Sequence, residues 1–179
     1  GTQYLMRKLT ASLFGSFLAL MCCFQNPAIL AAEQITDAEL PKVVIKTTGS
    51  VPTGGYNAEI FLTSSNAGQP MPEGSADGAC TVEKKITGND SVTVQLPSIA
   101  YTDLGVYDYT LTMKASDSGN TGIYDKSVYL IRVYVNSPES GGPPTSTVVV
   151  RKQGQEEKPD EIVFVNSFPA PSKNVTPNG

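Results

Sequence analysis

Apolar and polar residues alternate along most of this chain, and a period of two is the mark of strands half-buried against a core. In the run Gly105 to Met113, the residues Tyr107, Tyr109, Leu111 and Met113 share one face. Between Ser127 and Val135, one side holds Tyr129, Ile131, Val133 and Val135, and the other holds Val128, Leu130, Arg132 and Tyr134. Tyr56, Ala58, Ile60 and Leu62 alternate in the same way, while Val92, Val94 and Leu96 mark a strand closed by Pro97. Shorter runs lie at Val43 to Lys46, Thr147 to Arg151 and Glu161 to Asn166. Turn-rich stretches at Ser64 to Gly78, Ser116 to Gly122 and Gly141 to Pro144 separate them. β-branched and aromatic residues fill the runs, and beyond residue 32 nothing sustains a helical period. These features predict an all-β domain of about seven short strands, with a β-sandwich favoured over a barrel.

The first 32 residues are of another kind. Met6-Arg7-Lys8 is a basic start, Leu9 to Phe24 an apolar run, and Ala28-Ile29-Leu30-Ala31-Ala32 a small-residue cleavage context. Residues 6–32 read as a secretory signal cut after Ala32, preceded by a short extension with no evident role, and leave no membrane insertion afterwards. Residues 33–41 form a short polar lead-in, 42–168 the folded domain, and 169–179 a Pro-containing extended linker.

Composition narrows the function. The formal net charge is −4, and every acidic residue lies beyond the cleavage point, which argues against a nucleic-acid partner. Cys22 and Cys23 leave with the signal, so Cys80 alone remains and the exported domain has no internal disulfide. There is no histidine, which removes Ser-His-Asp and Cys-His machinery and the commonest metal ligand together. Gly88-Asn89-Asp90 and Asp117-Ser118-Gly119-Asn120 lack the ligand spacing of a calcium loop and are explained by turns. Neither an enzyme nor a bound metal or cofactor is expected.

One residue breaks the pattern. In Glu161-Ile162-Val163-Phe164-Val165-Asn166, the carboxamide of Asn166 shares the face of Ile162 and Phe164, where it must find partners or cost a few kcal/mol. On the first strand of the domain, Val44 and Lys46 share a face. Between them, in order, come Pro70-Met71-Pro72-Glu73-Gly74, Gly105-Val106-Tyr107-Asp108-Tyr109, Tyr124-Asp125-Lys126-Ser127-Val128-Tyr129 and Ile162-Val163-Phe164-Val165-Asn166. This succession resembles the streptococcal-type pilin isopeptide linkage domains of sortase-assembled pili on Gram-positive bacteria.

The resemblance spans about residues 42–168 and implies an immunoglobulin-like β-sandwich in which Lys46 bonds covalently to Asn166. Burial would lower the lysine pKa and free a neutral amine, the fold would hold it against the carboxamide, and ammonia would leave. A buried carboxylic acid shuttles the protons in that family, but its position falls on Met113, which carries no proton. The resemblance also implies a lysine joined by sortase to the next subunit, matched best by Lys158, with Lys152 as runner-up. The expected role is a secreted structural protein of the cell surface, cell wall or pilus, whose partners are other pilin subunits and sortase. The alternative is an adhesin-type sandwich that binds a host protein or glycan through its loops.

Overall fold

A computed structural model describes residues 33–170. The segment expected to be an extension and secretory signal, 1–32, and the end of the expected linker, 171–179, lie outside the described residues. Ten strands build the fold among the described residues. They are β1 (Thr36–Ala38), β2 (Val43–Gly49), β3 (Tyr56–Ser64), β4 (Ala79–Ile86), β5 (Val92–Val94), β6 (Ile99–Tyr101), β7 (Gly105–Ser116), β8 (Tyr129–Asn136), β9 (Thr145–Lys152) and β10 (Ile162–Phe168).

The largest sheet has the order β9-β8-β7-β3-β4, with antiparallel neighbours throughout. A second sheet has the order β10-β2-β5, and β1 pairs with β6 in a third. Inward residues from all three form one core, an all-β immunoglobulin-like sandwich. The alternation read from the sequence sets its composition. Tyr56, Ala58, Ile60 and Leu62 of β3, Tyr109, Leu111 and Met113 of β7, and Tyr129, Ile131, Val133 and Val135 of β8 are all buried.

Three strands escape the sequence pattern. β1 lies inside the presumed polar lead-in, where Ala38 and Leu40 are in fact buried. β1 and β6 are three residues each, too short to display a period. β4 reads as charged because it is an edge strand: only Cys80 and Ile86 are buried, and Thr81, Glu83, Lys84 and Lys85 face solvent. Charges on an open edge discourage pairing with a second chain. Gly55 allows the turn from β2 into β3 to pass β4 closely. Its φ is +78°, and a Cβ there would lie 2.2 Å from the Ile86 carbonyl oxygen.

Candidate functional site

The first long strand and the last are neighbours. β2 and β10 run parallel, in a register that sets Val165 beside Lys46 and Asn166 beside Thr47. Residues 43, 45 and 47 of β2 point inward: Val43 and Ile45 are fully buried, and Thr47 is 3% exposed. Lys46 therefore projects from the opposite face and is exposed. Val44 does share its face, as the alternation requires, but that face is the outer one. Asn166 is 0% exposed and points into the core. The structure thus does not bring Lys46 to Asn166, because a shift of one position along a strand reverses the face. Thr47 occupies the inward place.

A buried carboxamide needs partners for one acceptor and two donors. The Asn166 Oδ1 accepts the Asp125 N–H at 3.0 Å. Its Nδ2 donates to the Tyr56 hydroxyl at 3.1 Å and reaches the Met113 sulfur at 3.5 Å. The Tyr56 hydroxyl also meets Thr47 Oγ1 at 2.7 Å. Because Tyr56 and Met113 belong to the large sheet and Thr47 and Asn166 to the other, these bonds tie the two faces of the sandwich together. The Tyr56 ring packs on Phe168 and Tyr124, with centroids 5.0 and 5.9 Å away.

Sequence reasoning missed the segment that completes the site. Residues 123–129 form a strap along the free edge of β10. Ile123 and Ser167 exchange backbone bonds of 2.8 and 3.0 Å. Asp125 Oδ2 accepts the Val165 N–H at 2.8 Å, and its Oδ1 accepts the Ser127 N–H at 2.8 Å. The Tyr129 hydroxyl donates to the Val163 carbonyl at 2.8 Å and lies 3.1 Å from the Val163 nitrogen. The outward N–H groups of Val163, Val165 and Ser167 thus each have a partner, so β10 has no open edge over this stretch. The Tyr124-Asp125-Lys126-Ser127 motif was the available signal, but it marks a strap and not a strand.

Electrostatics fix the chemistry of this site. Burial pushes the Asp125 carboxyl up, but hydrogen bonds from Ser127 and Val165, with the Lys152 charge, outweigh it and hold it below its ordinary value. Asp125 is therefore ionised at neutral pH and is no proton shuttle. Met113 has no proton to give, and Glu59 sits on the outward phase of β3 opposite Lys114 and Glu83. The arrangement holds the carboxamide firmly; Lys46 lies on the outer face, and neither Met113 nor the ionised Asp125 can shuttle a proton beside it.

Beyond the strap, Asp117 caps the turn ahead of it, accepting the Thr121 and Gly122 N–H groups at 3.0 and 3.1 Å and the Tyr124 hydroxyl. That hydroxyl, followed by the Thr121 N–H, holds the Asp117 carboxyl down at about 2. A Cβ at Gly122 would lie 2.6 Å from the Tyr124 ring, so any larger residue there would displace that ring. Lys158 is exposed in the turn between β9 and β10. Lys152 is half-buried, its ammonium 5.8 Å from the Tyr129 ring centroid.

No protein-family model matches the chain, and no curated protein matches it. Solved structures do. A mutant form of the major pilin from Streptococcus pyogenes is similar at 21% identity over 73% of this chain and 50% of that one, with a TM-score of 0.52. The unmutated major pilin of that species gives 19% identity over 73% and 50%, with a TM-score of 0.46. One further serotype's major pilin gives 17% over 74% and 53%, with a TM-score of 0.43. The chain thus spans about half the length of the solved chains it matches. At these identities the likeness concerns the fold: this chain shares the all-β fold of a Gram-positive major pilin.

Proposed function

We propose that the chain is a secreted, non-enzymatic structural protein of the bacterial surface, serving as a pilus shaft or pilus-associated subunit. The observation that carries this reading is the parallel junction of β2 and β10, with Asn166 buried at its centre and a strap along its far edge. That construction closes the first long strand of the domain onto its last along a braced ladder, which suits a structural part and not one that turns over a substrate. Its partners are other pilin subunits and sortase, and the exposed Lys158 is the attachment lysine. Asn166 serves as a hydrogen-bonded brace between the sheets, in place of a covalent cross-link to Lys46.

Immunogold labelling of cells tests the surface role: regular labelling along fibres supports a shaft subunit, and its absence from fibres removes that reading. Intact mass of the folded protein tests the brace. A mass equal to that of the processed sequence is expected, whereas loss of one ammonia would show a cross-link. A Lys158→Ala strain should lose its ladder of covalent pilus polymers on a denaturing gel, and an unaltered ladder would eliminate Lys158.

A further inference from the structure

We propose that the β2–β10 pair is a non-covalent shear clamp, which makes the domain strong against tension between its two ends and weak against peeling at one end. The inference concerns the mechanics of the domain itself and holds whatever the domain is attached to.

The load path follows from connectivity. Tension arriving from the N-terminal side enters β2 at Val43, once the three-residue β1–β6 pairing has given way. Tension from the C-terminal side enters β10 at Phe168. In the parallel register, Val43 pairs with Ile162 and Gly49 with Phe168. The two forces therefore act at opposite ends of one ladder and pull its strands lengthwise past each other. All seven paired positions resist together, since no bond can open before its neighbours.

The other edge of β10 adds to this resistance. Sliding β10 would also break the Ile123–Ser167 exchange, the Asp125 bond to the Val165 N–H and the Tyr129 bonds at Val163. Inside the core it would pull the Asn166 carboxamide from Tyr56 and from the Asp125 N–H. β10 is thus held along both edges and by one inward side chain. The short β5, which covers the other edge of β2 over three residues, contributes little.

Force applied ahead of β2 and ahead of β10 acts differently. Position 158 precedes Ile162, so a tether there and one at the N-terminus both pull at the Val43–Ile162 end. The ladder then opens one bond at a time, each bearing the whole load.

Single-molecule force spectroscopy on the full chain separates these cases. One arrangement tethers peptide tags at the two ends. The other uses the N-terminal tag and a click handle introduced at position 158. The end-to-end arrangement is expected to rupture at several times the force of the second. Asp125→Asn, which removes one carboxylate acceptor from the strap, should lower the end-to-end force. Where that variant does not fold, the two arrangements of the parent chain decide. Equal forces in the two arrangements, or an Asp125→Asn chain that holds as well as the parent, would overturn the clamp. Neither result bears on where the protein resides on cells, which labelling decides separately.

Discussion

At the β2–β10 junction a single carboxamide gathers the buried polar contacts, whereas at the start of β7 they are shared among two phenols and a glutamine. In the second region the Tyr101 and Tyr109 hydroxyls lie 2.9 Å apart, and Tyr109 donates to the Pro70 carbonyl at 2.7 Å. Gln69 adds a bond from its Nε2 to the Asp108 carbonyl at 2.7 Å and accepts the Asp108 N–H at 3.2 Å, much as a strand neighbour would. Both regions satisfy buried polar groups, but they join different parts of the chain. The Asn166–Tyr56 bond spans 110 residues, while the Tyr109 and Gln69 bonds span 39 and fasten a loop to a strand. The first region fixes how the domain begins and ends, and the second fixes how one connection is folded down.

Removing the first should therefore cost most. Asn166→Ala leaves the Asp125 N–H and the Tyr56 hydroxyl short of a partner and opens a void, a loss of about 3 kcal/mol. Urea unfolding would read this as a lower midpoint, and a loss under about 1 kcal/mol would demote the carboxamide to a passenger.

Tyr109→Phe should cost about 1–2 kcal/mol, since it strands the Tyr101 hydroxyl and the Pro70 carbonyl. It also changes the alkaline response. Burial, with the neighbouring Tyr107 and Asp108 charges, pushes the Tyr109 phenol up to about 12, against the opposing effect of its Tyr101 bond. The folded state therefore keeps its proton where the unfolded chain loses it. That stability is whole below the ordinary phenol value near 10 and is lost as pH rises towards about 12. Melting curves across this window should be steeper for the parent than for Tyr109→Phe, and identical slopes would refute the assignment.

Acid reads the first region. Asp125 is held below its ordinary value, so its contribution is present above the unfolded carboxylate value and lost as pH falls through the folded one. Asp125→Asn should cost about 1 kcal/mol at neutral pH and flatten the acid limb of the stability curve. An unchanged acid limb would mean that the strap is held by its backbone bonds alone.

Legibility in the sequence followed burial on one face. The β3, β7 and β8 faces were readable because each strand is long and buries every second residue against one core. Asn166 was readable for the same reason, as a polar residue in an apolar phase. β4 was not, since an edge strand buries little, and Gln69 and Asp125 were not, since side chains that replace a ladder carry no period. The phase of β2 is the instructive case. Val43-Val44-Ile45-Lys46 is apolar on both faces up to the lysine, so period alone does not say which face is inward. The structure decides it through Thr47, a small polar residue that lines the core because Tyr56 gives its hydroxyl a partner at 2.7 Å.

The smallest expected effect tests that phase most sharply. Lys46 is exposed on the outer face beside Val165, so Lys46→Ala should shift stability by no more than about 0.5 kcal/mol. A cross-linked Lys46 would behave quite differently. Closing a loop of more than a hundred residues is worth on the order of 5 kcal/mol by the chain-entropy model used for disulfides, and cutting it would remove that contribution at once. The two arrangements thus predict results roughly tenfold apart for a single exposed side chain. A large loss on Lys46→Ala, with a parent mass short by one ammonia, would turn β2 over and place its lysine in the core. A near-silent substitution leaves the join between the first strand and the last to Thr47, Tyr56, Asn166 and the strap.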